Sequence, residues 1–143
     1  MSRNLFRAAQ STFRHSASRP TSIASFQQFH NTSPKMTVHN IQTAEAFKEA
    51  VQQNKVVLLD CFATWCGPCK AIAPILANHS NEEEFKDVFF AKIDVDDLPE
   101  LSQELGITAM PTFMVFKDGN LVPAEKLVGA NPNALVSMLK KHA

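Results

Sequence analysis

The chain has 143 residues, 45% apolar and 20% charged, enough for one domain with a real core and too few for two comfortable ones. No apolar run approaches the roughly 20 residues needed to cross a bilayer, so membrane insertion is not expected. The formal net charge of zero conceals a division: all four arginines (Arg3, Arg7, Arg14, Arg19) lie in the first 19 residues, and the first acidic residue is Glu45.

Residues 1–35 are therefore a basic, acid-free leader rich in Ser, Thr and Ala. On a helical wheel Arg3, Arg7 and Arg14 fall within about 40° of one another, while Leu5, Phe6, Ala9 and Phe13 collect opposite. A basic amphipathic helix with Ser-rich flanks and no carboxylates has the composition of a mitochondrial transit peptide. A secretory signal would need a continuous apolar centre, which is missing. The plainer alternative is a basic tail with no address. Thr32-Ser33-Pro34 reads as a linker, and the folded domain is expected over 36–143. Met36 opens a tidy domain start, so initiation there would yield a cytoplasmic form.

The domain holds all fourteen acids and nine lysines, and this mildly acidic balance gives no reason to expect nucleic-acid binding. Val38 to Ile41 predicts a short strand. Thr43 can cap a helix whose apolar face is Ala46, Phe47, Ala50 and Val51, ending at Asn54. Val56 to Ala63 is nearly continuous apolar sequence broken only by Asp60, the pattern of a central strand buried on both faces. A second helix starts near Cys66 and runs past Pro74, where a kink is expected, towards Asn78. Val88 to Ile93 predicts a strand, and Leu98 to Leu105 a short helix closed by Gly106. Pro111 precedes a strand over Thr112 to Phe116. Asp118-Gly119 centres a hairpin turn, and Leu121 to Val128 returns as an edge strand that tolerates Pro123. Asn131-Pro132 opens a last helix to Lys141. The alternation gives an α/β fold with a mixed sheet.

The three cysteines, Cys61, Cys66 and Cys69, fall within nine residues and cannot staple distant parts of a fold. A close pair in an ordinary chain points to metal or redox chemistry. Structural zinc wants four ligands; there is no second Cys pair, and His39, His79 and His142 are scattered. The redox reading is the stronger. Cysteines three apart at a helix start face the same way. Cys66 at the helix N-terminus would meet free amide donors that favour the attacking thiolate.

Asp60-Cys61-Phe62-Ala63-Thr64-Trp65-Cys66-Gly67-Pro68-Cys69-Lys70, with Pro74 downstream, resembles the active-site segment of the thioredoxin family. Met110-Pro111-Thr112 resembles its cis-proline loop, and Gly129 its glycine beyond the last strand. The resemblance covers about residues 38–143. It implies a mixed sheet of about five strands flanked by four helices. It also implies a protein-disulfide reductase that maintains redox balance with Cys66 as nucleophile and Cys69 as resolving thiol.

The family likeness implies roles for further residues. Asp60 becomes a buried proton acceptor behind Cys69, with its pKa raised by desolvation; the bland alternative is a carboxylate satisfied at a strand end. Lys92 either faces solvent or lies near Asp60 and tunes it. Pro111 would be cis, and the Met110 backbone would pair with an extended substrate segment. Trp65, Gly67, Pro68, Ala109, Gly129 and Ala130 would complete an apolar substrate patch. Cys61 and Phe62 depart from the family pattern, where a bulky aromatic and a tryptophan are common; Cys61 reads as a small core hydrophobe.

The implied cofactor set is empty apart from the Cys66–Cys69 disulfide, since neither a Gly-x-Gly-x-x-Gly nor a Walker-type loop is present. The implied partners are disulfide-bearing proteins and an NADPH-dependent thioredoxin reductase, acting on a monomer. Two rival functions are a disulfide isomerase and a redox-inert binding subunit. Pro68 between the cysteines tilts against the first, and the presence of both cysteines against the second.

Overall fold

The computed structural model describes residues 37–143; the leader and Met36 lie outside that range. The elements run β1 (Val38–Asn40), α1 (Ala44–Gln53), β2 (Val56–Phe62), α2 (Gly67–Ser80), β3 (Val88–Asp94), α3 (Pro99–Glu104), β4 (Thr112–Lys117), β5 (Asn120–Val128) and α4 (Pro132–His142). The strands form one sheet in the order β1-β3-β2-β4-β5. β1 and β2 pair with β3 in parallel, and β4 runs antiparallel to both β2 and β5. The expected mixed sheet of five strands with four helices is what the described residues form.

β2 is central because its sequence lets it be covered twice. Val57, Leu59 and Cys61 face α1 and α3, packing with Phe47, Ala50, Val51 and Leu101. Val56 and Leu58 point the other way, onto Ile72 and Leu76 of α2 and Leu135 and Leu139 of α4. Each such side chain withdrawn from water contributes about 2 kcal/mol. By the same alternation Asp60 is turned towards the α2 side, and it is 4% exposed.

Local chemistry sets the element ends. Thr43 and Asn131 cap α1 and α4, each accepting the N–H three residues on, at 3.1 Å. Asn131→Ala should therefore lower stability by about 1 kcal/mol in urea unfolding, with the slope of the transition unchanged. Asp118 (φ 49°) and Gly119 (φ 82°) both take positive φ, the geometry that lets a two-residue hairpin follow the twist of β4 and β5.

Several bounds differ from the expected ones. Ile41 is outside β1, although its N–H still bonds the Lys92 carbonyl at 2.9 Å. Ala63 is outside β2, at the turn into α2. A 3-10 turn at Glu83–Phe85, not anticipated, buries Phe85 against α2 and α4. One aromatic in an acidic run has no period to announce it. α2 continues through Pro74: Lys70, whose carbonyl loses an amide partner there, and Pro74 are both exposed, so water can serve instead.

Candidate functional site

The β2–α2 junction places the cysteines. β2 ends on Phe62, a turn follows, and Cys66 is the N-cap of α2. Pro68 in the first helical turn gives up no needed hydrogen bond. Cys66 and Cys69 are joined by a disulfide with their Cα atoms 5.3 Å apart, so the structure holds the oxidised state. The N–H of Cys69 donates to Cys66 Sγ at 3.2 Å. Both residues are 5% exposed and pack with Ala63, Phe62, Val95 and Met110.

Behind the pair lies a cavity of about 350 Å³, lined by Asp60, Cys69 and Lys92 among others. Asp60 and Lys92 are register partners on β2 and β3. Burial pushes the Asp60 pKa from its ordinary 3.8 up to about 7, and the Lys92 charge opposes that rise. Asp60 Oδ1 is buried and accepts no hydrogen bond from the described residues. An unsatisfied buried carboxylate oxygen is costly to ionise, in keeping with the raised pKa. Lys92 is half-buried rather than fully in solvent, its Nζ 5.3 Å from the centre of the Phe62 ring.

The other expected site residues flank the cysteines or come from two further segments. Trp65 is 66% exposed, and its Nε1–H donates to Asp96 Oδ2 at 2.8 Å. Gly67 and Pro68 are exposed beside it at the start of α2. The Met110–Pro111 peptide is cis, and Met110 packs against the cysteine pair. The Gly129 N–H bonds the Pro111 carbonyl at 2.8 Å, bringing the end of β5 to this loop, with Ala130 exposed next in line. Ala109 is exposed, and its carbonyl accepts from Thr112 Oγ1 at 2.7 Å. Cys61 stands apart: it is free, fully buried on the opposite sheet face, and burial raises its thiol pKa.

Asp96 was not anticipated: it falls between the expected strand ending at Ile93 and the expected helix starting at Leu98, and only folding brings it to Trp65. Among the described residues no group of three or more His, Cys, Asp or Glu could hold a metal ion, and no helix is long and apolar enough to cross a membrane.

The family model for thioredoxin matches residues 38–141. The chain belongs to the thioredoxin family. A thioredoxin of Aspergillus fumigatus is 54% identical over 106 residues, covering 73% of this chain and 94% of that protein. Thioredoxin-3, mitochondrial, of Saccharomyces cerevisiae is 39% identical over 124 residues, covering 87% of this chain and 91% of that one. The crystal structure of that yeast protein in its oxidised form superposes with a TM-score of 0.68 at 38% identity, covering 76% of this chain and 99% of that chain. As a thioredoxin, the chain is a thiol–disulfide oxidoreductase that reduces protein disulfides through Cys66 and Cys69. Thioredoxins do this on the cysteine pair itself, without a bound cofactor, and are reset by a thioredoxin reductase.

Proposed function

We propose that this thioredoxin is a monomeric reductase of the mitochondrial matrix in which Cys66 attacks, Cys69 resolves and Asp60 takes up the Cys69 proton. One observation carries the division of labour: the two sulfurs have different surroundings. The amide of Cys69 is aimed at Cys66 Sγ, the sulfur that has to carry negative charge in the reduced state. Cys69 lines the cavity that also holds Asp60.

The cycle then balances in two steps. Cys66 thiolate attacks one sulfur of a substrate disulfide; a Cys66–substrate bond forms, the substrate bond breaks, and the first substrate thiolate leaves and is protonated by water. Cys69 gives its proton to Asp60 and attacks Cys66 Sγ; the Cys66–Cys69 bond forms and the second substrate thiolate leaves. The substrate gains two electrons and the pair loses two. An NADPH-dependent reductase returns them. Asp60 suits its part because its pKa, pushed up to about 7, lets it hold or release a proton near neutrality. Lys92 keeps that value from rising further.

Substrate is met by Trp65, Gly67 and Pro68 on one side of the pair and by Met110, Pro111, Gly129 and Ala130 on the other. An extended segment laid along Met110 would use its backbone groups as a strand uses a neighbour. The exposed indole ring supplies flat apolar contact, and its hydrogen bond to Asp96 holds it in place.

The compartment rests on the leader. Residues 1–35 carry the arginine face and no acid, and 36–143 are the enzyme domain. The match to the mitochondrial yeast relative covers more of this chain than the described domain does, so it runs back into the leader. Initiation at Met36 would supply a cytoplasmic form.

A Cys69→Ser variant of the full-length chain tests the assignment and the address together, because it stalls after the first step. Partners joined to Cys66 are expected in the mitochondrial fraction, on a chain shortened at its N-terminus. An absence of thiol-sensitive adducts would overturn the order of the cysteines. Adducts confined to the cytosol, on chains beginning at Met1, would overturn the address.

A further inference from the structure

The segment between α3 and β4 has no regular structure, yet it carries Met110 and Pro111. Four hydrogen bonds from nearby residues fix its ends. Gly106, at φ 64°, closes α3: its N–H bonds the Gln103 carbonyl at 3.0 Å, and the Ile107 N–H bonds that of Ser102 at 3.0 Å. At the far end Thr112 Oγ1 donates to the Ala109 carbonyl, and the Gly129 N–H to that of Pro111. A fifth bond comes from a residue with no place in the redox chemistry. Lys126 on β5 reaches across to donate its Nζ–H to the Gly106 carbonyl at 2.8 Å.

Its register partner places Lys126 over the α1/α3 face of the sheet: Met114 on β4 packs in the core on that face. Among the described residues no carboxylate stands within ion-pair distance of Lys126. Its amine is committed to the Gly106 carbonyl, just past the C-cap of α3, in a hydrogen bond with a charged donor. Lys126 and Gly129 are three residues apart, so the end of β5 grips both the entry and the exit of the loop that holds Met110.

We propose that Lys126 is a positioning residue for protein disulfides, pinning Gly106 so that the Met110 ledge stands at a fixed height beside Cys66 and Cys69. The proposal rests on the substrate ledge described above. A protein disulfide must lay an extended segment on that ledge before its sulfur reaches Cys66. A small disulfide needs access to the sulfur alone. Loss of the tether therefore separates the two classes of substrate.

The test uses pre-reduced full-length chain in single-turnover mixing, with insulin as the protein disulfide and bis(2-hydroxyethyl) disulfide as a small uncharged one. Lys126→Met keeps the aliphatic stem and removes the donor. It should slow insulin reduction about threefold to tenfold, the range of one ordinary hydrogen bond, as befits a solvent-exposed one. The small disulfide should react at the wild-type rate. Lys126→Arg, which keeps a cationic donor, should recover at least half of the loss. Equal rates for Lys126→Met and wild type with insulin would overturn the tether. So would a parallel fall with both disulfides, or no recovery in Lys126→Arg. A wild-type chain that reduces the small disulfide and not insulin would instead overturn the ledge itself, and the tether with it.

Discussion

Cys66→Ser should reduce insulin at no more than the uncatalysed background rate, while its unfolding free energy in urea, measured against the reduced wild type, stays within about 0.5 kcal/mol. A serine hydroxyl fits the N-cap position and can accept the same Cys69 N–H, so the helix start is preserved. What it cannot do is attack a disulfide at neutral pH, because the attacking species is a thiolate. Removing a nucleophile from an enzyme typically costs well over about 10³-fold, and no neighbouring group here can replace it. Cys69 lines the cavity behind the pair, and Cys61 is buried on the opposite face of the sheet. Insulin turbidity with a dithiol donor checks this, with Cys69→Ser as the companion. Sustained turnover by Cys66→Ser would overturn the mechanism.

Asp60→Asn should stabilise the oxidised protein near neutral pH and slow the resolving step. Below pH 3.8 the carboxyl is protonated folded or unfolded and adds no pH dependence. Between 3.8 and about 7 the native state keeps the proton while the unfolded chain has lost it. The native state then binds more protons, so stability falls as pH rises across that window and levels off above it. At 1.36 kcal/mol per pKa unit the whole loss is about 4 kcal/mol. Asparagine cannot ionise, so the variant loses this slope; its advantage should be small near pH 4 and grow to about 4 kcal/mol by pH 8. Urea titrations across this range read it directly. In the proposed cycle the same substitution removes the acceptor for the Cys69 proton. Release of the second substrate thiol from the mixed disulfide should slow on the order of 10²-fold at neutral pH, the lower end of general-base contributions. A variant that is destabilised and fully active would sink both halves of the claim.

Lys92 and burial act on Asp60 in opposite directions. The Lys92 charge alone would hold the Asp60 pKa down, yet the net shift is upward. Desolvation in the cavity outweighs a cation that is itself half-buried and turned partly over the Phe62 ring. Asp60 is therefore poised rather than simply ion-paired.

Much of this was open to a reader of the sequence, where the signal is local. Val56 to Phe62 announces a central strand because an apolar run broken only by Asp60 has no exposed face to offer. Thr43, Asn131 and Asp118-Gly119 mark helix starts and a turn through bonds and dihedrals confined to three or four residues. The cysteine pair is legible for the same reason: two residues three apart on one helix meet whatever the rest of the chain does. The arginine leader is likewise a matter of composition. Other features have no local signature, because they depend on register and on which strands are neighbours. Asp60 and Lys92 become partners only because β2 and β3 pair in that register. A one-residue slip would turn one of the two to the opposite face. Trp65 finds Asp96, Gly129 finds Pro111 and Lys126 finds Gly106 across separations that periodicity does not span. A spacing of three residues thus wrote the redox pair into the chain, whereas the neighbours we propose as its proton acceptor and substrate ledge, and the Lys126 tether, come to it only once the sheet has been assembled.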